Sequence, residues 1–381
     1  MIVNKDLQEK ILNYIKEKGP SPRKEIAQSL GVSQAIITQV TKYMISKNII
    51  YEKEIGPSTK KGGRKPIYID INSETGYIMS LDVGSYEIKG GIGNLKGDVL
   101  LLDKLRTSLD NTLNQIIEFS ERLLNKYRDK LLGISIGLPG VVDIEKGILV
   151  FSANLPSINN INFKKIFENK YRVKTFVSNC GIFSLIGVYN HLKKKEKNIL
   201  NLYWGNGISA TFLSEGKEIL TGKTKYRIDF GHITIDKNGK LCRCGKRGCI
   251  ESYVSSEALL NKIKEKINKE IDMDYALKLA REREDIREIF EEAGYVVGKT
   301  LSFLIQYFFP DLVVFSGGLI KNAGDILIPS IKNGIKDNMD EKQYEKLNFK
   351  VIETEYIGVI GGIEFMINEI FSKHLHLLYQ V

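Results

Sequence analysis

Apolar positions near the start of the chain fall on helical spacings. Leu7, Ile11, Leu12 and Ile15 make one stripe, and Gly19-Pro20 ends it. Ser21-Pro22 opens a short second helix carrying Ile26, Ala27 and Leu30, with Gly31 as the turn. Ser33 is a good N-cap for a third helix to about Ser46, with Ile36, Ile37, Val40 and Met44 available for packing. Ile49-Ile50-Tyr51 and Ile67-Tyr68-Ile69 then alternate as two strands, bracketing a Gly- and Lys-rich segment from Gly56 to Pro66. Helix, short helix, glycine turn and capped helix predict a helix-turn-helix, and the strand pair makes it a winged one. From Gly76 the pattern changes to apolar runs separated by helices, as in an α/β domain.

Charge sharpens this division. The chain carries a net +10, and residues 1–70 hold thirteen Lys/Arg against seven Asp/Glu, so +6 of the excess sits at the N-terminus. On the third helix Ser33, Gln34, Thr38, Gln39 and Lys42 are the polar positions suited to one exposed face. Glutamine can read adenine edges, whereas a lysine holds phosphate. Lys60, Lys61, Arg64 and Lys65 surround Gly62-Gly63 in a thin basic loop suited to a minor groove. Operator DNA is the expected partner; the competing reading is a protein-interaction module with a solvated charge run. At 381 residues the chain has room for two or three domains. No apolar run approaches the roughly 20 residues of a membrane span, and the N-terminus leads into charged helix, so the cytoplasm is the expected compartment.

Three of the four cysteines lie within eight positions, Cys242, Cys244 and Cys249, with His232 ten residues upstream of the first. Thiolates and an imidazole suit tetrahedral zinc, and four protein ligands make a closed, structural site. Gly245 and Gly248 allow the tight turns that convergence on one ion requires. The alternative is a disulfide with an unrelated histidine, but Cys-x-Cys is a poor disulfide spacing.

The stretch Gly231-His232-x9-Cys242-x-Cys244-Gly245-x2-Gly248-Cys249-x-Glu251 resembles the signature of the ROK family, which joins bacterial sugar repressors and sugar kinases. The similarity covers nearly all of the chain, including Gly62-Gly63-Arg64-x-Pro66, which resembles the linker of the family's repressors. It implies a two-lobed, actin-like (ribonuclease-H-like) ATPase fold behind the N-terminal module. The expected divisions are 1–70, a first α/β lobe over 71–175 completed by a C-terminal helix over 363–381, and a second lobe over 176–362 with the zinc site. Carried over from the family, Asn154, Asn179, Asp229, His232 and Glu251 are the candidate sugar contacts, groups that can pair with vicinal hydroxyls. Local alternatives are an Asx turn at Asn154 and support of the metal site by Asp229 and Glu251.

Three parts of the kinase pattern depart. Asp82-Val83-Gly84 is followed by Ser85-Tyr86 where a phosphate loop has Gly-Thr, so Tyr86 adds bulk where phosphate would approach. The second phosphate loop reads Gly205-Asn206-Gly207-Ile208-Ser209. Cys180 stands where the family's kinases place the Asp that takes the sugar hydroxyl's proton, and no catalytic residue is assigned. Gly317-Gly318 resembles the nucleotide-side turn and equally suits a turn serving only the fold. The resemblance therefore implies a sugar-responsive repressor with structural zinc, a small carbohydrate effector and a dimeric or tetrameric assembly. The competitors are an active ATP-dependent sugar kinase fused to a DNA-binding domain, and a metal-stabilised scaffold for a protein partner.

Overall fold

The computed structural model describes residues 5–54, 67–193, 196–215, 217–218 and 230–379. The basic residues Lys60, Lys61, Arg64 and Lys65 and the carboxylate Asp229 lie outside the described residues.

The first three helices form where the apolar spacing puts them: α1 Lys5–Lys18, α2 Arg23–Leu30 and α3 Gln34–Ser46. Gly31 ends α2 in the left-handed region at φ 64°, and Ser33 Oγ accepts the Ile36 N–H to start α3. Strands Ile50–Glu54 and Ile67–Ile71 pair antiparallel. Ser21–Pro22, expected to open a helix, instead pairs with Ile69 and Tyr68 as a short third strand. Ile36, expected to pack, is 47% exposed. The buried face of α3 is Ile37, Val40, Thr41 and Met44, and one residue upstream of that stripe points about 100° away.

Two larger sheets share one plan. The first runs Val99–Arg106, Glu87–Asn94, Tyr77–Val83, Leu131–Leu138, Lys174–Asn179. Its first three strands form an antiparallel meander, and the last two run parallel to the third. The second sheet repeats that order with Lys217–Glu218, Ile208–Ser214, Ile199–Trp204, Leu312–Ser316 and Asn348–Val351. Helices cover both sheets, which is why central strands such as Leu131–Leu138 are buried along their whole length and read as near-continuous apolar runs. Lys174–Asn179 lies wholly in the first sheet, so the division expected between residues 175 and 176 falls inside a strand.

The C-terminal helix runs Ile357–Ser372, starting earlier than the 363 expected. Its glycines are interior positions that let two helices touch. A Cβ on Gly361 would collide with the Phe183 carbonyl of the helix Cys180–His191, and one on Gly187 would collide with the Ile357 carbonyl. On another side this helix meets the N-terminal module. Leu7, Ile11, Leu12 and Ile15 of α1 share one core with Ile363, Met366, Ile367, Ile370 and Phe371. Lys16 Nζ lies 2.5 Å from Glu364 Oε2, with side chains 10% and 5% exposed. Lys96, on the hairpin of the first sheet, lies 2.6 Å from Asp70. The N-terminal module therefore packs into the body of the first lobe. Among the described residues no helix is long and apolar enough to cross a membrane.

Candidate functional site

Strand Tyr77–Val83 ends in the turn Gly84-Ser85-Tyr86, and strand Ile199–Trp204 ends in the turn Gly205-Asn206-Gly207. Both turns open on a cavity of about 300 Å³ between the two sheets. They also touch: Asn206 Nδ2 donates to Ser85 Oγ at 2.7 Å. The two segments that would cradle phosphate in a kinase are thus hydrogen-bonded to each other. Tyr86 lines the cavity, with the Arg106 guanidinium 4.4 Å over its ring.

On the other side of the cavity the structure gathers Asn154, Asn179, Cys180, His232 and Glu251. Asn154 Nδ2 donates to Glu251 Oε1 at 3.0 Å, joining the two halves of the cleft. Glu251 Oε2 also accepts the Ile208 N–H at 3.4 Å, and the residue is 7% exposed. Asn179 is the N-cap of Cys180–His191: its Oδ1 accepts the Gly181 N–H, while its Nδ2 donates to the Gly140 carbonyl. Its carboxamide is therefore held at both ends by backbone, and Cys180 is placed as the first residue of the helix. Arg243, unremarked in the sequence, reaches Asn154 Oδ1 at 3.4 Å and pairs with Glu257. Its signal was its place between two candidate metal ligands.

The cleft floor is ionic. Lys104 Nζ lies 2.9 Å from Glu355 and 3.1 Å from Glu87, and Lys321 Nζ reaches Glu355 at 3.2 Å. Lys89, which unlike Lys104 and Lys321 is buried, stands 3.7 Å from Glu355. Burial opposes ionisation of Glu355, but hydrogen bonds from Lys104 and Lys321 outweigh it and hold its pKa at about 2. Asp82 lies against Gly358 in the first turn of the C-terminal helix. Burial pushes its pKa up to about 6, only partly countered by Lys89.

A carboxyl with a raised folded-state pKa favours the native state below its unfolded value of about 3.9, and that advantage is lost as pH rises to about 6. The shift corresponds to roughly 3 kcal/mol. Asp82→Asn is expected to flatten the decline in stability between about pH 4 and 6 and to raise stability at about pH 8 by 1–3 kcal/mol. Urea unfolding at acid, neutral and mildly alkaline pH reads this directly; a variant less stable than the parent at pH 8 contradicts it.

His232, Cys242, Cys244 and Cys249 converge, with one donor atom of each within 4.8 Å of every other. His232 Nδ1 stands 3.6 Å from Cys242 Sγ, and Cys244 Sγ stands 3.6 Å from Cys249 Sγ. Four donors about 2.3 Å from a tetrahedral ion are separated by about 3.8 Å, so the set fits a metal ion. Short bridges, Thr234 to Cys249 and Leu241 to Arg247, fold the loop back on itself. Gly248 turns it at φ 70°, where a Cβ would strike the Asp236 carbonyl. Burial raises the Cys242 thiol and pushes the Cys249 thiol up to about 12, with neighbouring thiols adding to the latter. A dication among them would stabilise the thiolates. Since His232 also lines the cleft, the His/Cys cluster and the cavity share a residue.

On α3, Ser33, Gln34, Gln39 and Lys42 are exposed, and Thr38 is half-buried. The Ser33 hydroxyl is engaged as the cap, and Thr38 Oγ1 donates to the Gln34 carbonyl at 2.8 Å. Ala35 and Ile36, not anticipated as part of this surface, are exposed beside them.

The model of the ROK family matches residues 78–363, and the chain belongs to the ROK family. The chain is 26% identical over 356 residues to the xylose repressor of Bacillus subtilis (strain 168), covering 91% of this chain and 89% of that protein. It is 25% identical over 389 residues to the DNA-binding transcriptional dual regulator NagC of Escherichia coli (strain K12), covering 96% and 94%. Among solved structures, a ROK family transcriptional regulator described as a homologue of the E. coli MLC protein superposes with a TM-score of 0.79 at 21% identity, over 100% of both chains. A ROK family glucokinase from Streptomyces griseus, in complex with glucose and AMPPNP, superposes with a TM-score of 0.67 at 20% identity, covering 76% of this chain and 99% of that one. The fold is therefore common to regulators and kinases, and about a quarter of this chain falls outside the match to the kinase.

Proposed function

We propose that this chain is a sugar-responsive transcriptional repressor that binds a carbohydrate in its cleft without phosphorylating it. The observation that carries this reading is the Asn206–Ser85 hydrogen bond, which closes the phosphate side of the cleft while Asn154 and Glu251 remain on its polar side. Cys180 adds a thiol where a transferred proton would need a carboxylate. Asn154, His232 and Glu251 are the sugar contacts, with Asn179 positioning the helix at Cys180; Asp229, a further candidate contact, lies outside the described residues. The names of the relatives point to pentoses and N-acetylhexosamines as first ligands to try.

Residues 1–70 act as a winged helix-turn-helix. Gln34 and Gln39 face bases, Lys42 faces phosphate, and Ser33 and Thr38 fix the helix that carries them; Lys60, Lys61, Arg64 and Lys65 supply the wing. Zinc held by His232, Cys242, Cys244 and Cys249 is structural and keeps Arg243 and His232 against the ligand. The two lobes are built on the first and second sheets, the first completed by the C-terminal helix, and the compartment is cytoplasmic. The effector's signal has a short route: the C-terminal helix touches Asp82 in the cleft at Gly358 and Lys16 of α1 at Glu364. Closure of the lobes shifts that helix and with it the DNA-facing module.

Calorimetry with xylose, N-acetylglucosamine and glucose, run beside a coupled ADP-release assay, tests the reading. The expected result is binding of one sugar with turnover far below the roughly 1–100 per second of a working kinase. Cys180→Asp is expected to remain inactive, because the two phosphate-side turns are still bonded to each other. Turnover at an ordinary kinase rate in the parent chain would establish the kinase reading instead.

A further inference from the structure

Helix α3 reads QAIITQVTKYMIS, with no arginine and with Lys42, in its third turn, as its only cation. Its buried stripe is Ile37, Val40, Thr41 and Met44. At about 100° per residue, Ala35 points directly away from the centre of that stripe, and Ile36 points about 90° from it. Ala35, Gln39 and Lys42 thus form the outermost ridge, and Ile36 stands along one flank of it, 47% exposed. Tyr43, further along the same flank, packs instead against Tyr379, with ring centroids 5.8 Å apart. The hydroxyls of the first two turns are engaged within the helix. Ser33 Oγ accepts the Ile36 N–H, while Thr38 Oγ1 and Thr41 Oγ1 donate to the Gln34 and Ile37 carbonyls. Folding alone gives no reason for isoleucine at this exposed position, where glutamine, glutamate or lysine is a better helix former.

We propose that Ile36, with Ala35 beside it, is a specificity-determining residue that packs on the C5-methyl groups of thymines in the major groove. The assignment rests on the DNA-binding reading and adds to it the identity of the bases. A helix-turn-helix enters the groove with the N-terminal residues of its second helix at the base edges. The first turn of α3 meets those edges with two apolar side chains in succession. Single exposed apolar residues are ordinary on a surface, but this pair occupies the turn at which bases are read. The apolar group that a base pair presents in the major groove is the thymine methyl. Guanine is read through O6 and N7 by arginine or lysine, and α3 offers neither before Lys42. Opposite a G·C pair, Ile36 would cover the guanine oxygen or the cytosine amino group without supplying a hydrogen bond, which weakens binding. Opposite an A·T pair it covers a methyl. One side chain therefore both favours A·T and disfavours G·C. The +6 charge of residues 1–70 draws the module to phosphate without selecting a sequence. The half-site accordingly holds A·T pairs opposite the first turn of α3.

Deoxyuridine tests this, because it pairs as thymidine does and lacks only the methyl. The 381-residue chain selects a duplex from random DNA, and each thymine of that duplex is then replaced singly by deoxyuridine. Binding is followed by fluorescence anisotropy at fixed salt. Burial of one methyl corresponds to about a four-fold change in affinity. The parent is expected to lose about that much at a thymine in each half-site, whereas Ile36→Ala should bind the thymine and deoxyuridine duplexes nearly equally. Ile36→Val, which keeps a branched apolar side chain, should still discriminate. Ile36 is exposed, so both variants should fold, and circular dichroism checks that they do; the scan of the parent decides the matter if they do not. A chain that selects no duplex removes the DNA reading and this assignment with it. A chain that holds its duplex while every thymine tolerates deoxyuridine overturns this assignment alone, as does a loss on deoxyuridine that persists undiminished in Ile36→Ala.

Discussion

Replacing Cys244 with Ser is expected to strip the chain of its metal and to lower its unfolding temperature by about 10 °C or more. Structural zinc sites contribute folding free energy outright, and for a lobe of this size each kcal/mol lost moves the midpoint by roughly 2–4 °C. The substitution removes one of four donors from a loop otherwise fastened by two short bridges and tight glycine turns. The uncoordinated thiols that remain are crowded and buried, so the loop should loosen rather than persist. Because His232 belongs to both the donor set and the cavity wall, and Arg243 sits between two ligands and reaches Asn154, sugar affinity should fall with metal content. Elemental analysis beside scanning calorimetry checks both halves. A variant with a full complement of metal, or a metal-replete parent with none, contradicts the account.

Lys16→Met is expected to destabilise the chain by about 3–5 kcal/mol, because it leaves Glu364 buried without its ammonium partner. Glu364 is 5% exposed at its side chain and lies under the hairpin turn at Gly97, so solvent cannot readily replace the lost charge. The double variant Lys16→Met/Glu364→Gln should recover much of the loss, since no uncompensated charge remains. Denaturant unfolding of the parent, single and double variants measures the coupling directly. Equal stability of the single and double variants would mean that the pair does not hold the N-terminal module to the C-terminal helix. The cleft residues are untouched by either change, so sugar affinity should hold while its effect on DNA binding weakens.

Much of this was legible in the sequence, for identifiable reasons. The three N-terminal helices announced themselves through i, i+3, i+4 spacing and two strong end signals, Gly31 and Ser33. The convergence of His232, Cys242, Cys244 and Cys249 was readable because three of the four lie within eight positions and local turns bring them together. What escaped depends on contacts distant in sequence. Lys104 and Glu355 are 251 positions apart, and Asn206 and Ser85 are 121 apart, so no local pattern pairs them. The strand Ser21–Pro22 is two residues long and proline-bearing, a weak signal for any sheet. The glycines in the first turns of the C-terminal helix serve the close approach of the helix Cys180–His191, a partner that lies far away in sequence. Ile36 read as core because it is apolar and adjacent to Ile37; only the phase of the whole stripe turns it outward.

The most direct test of the central claim joins the two ends of the molecule. A duplex selected from random DNA by the 381-residue chain, labelled and followed by fluorescence anisotropy, should bind in the nanomolar range at physiological salt. Adding the sugar identified by calorimetry, with no nucleotide present, is expected to change that affinity by about 5- to 150-fold. Glu251→Gln should bind the same duplex as tightly as the parent and lose the response. Sugar that binds the chain yet leaves duplex affinity unchanged, or a response that appears only when ATP is supplied, would contradict the account.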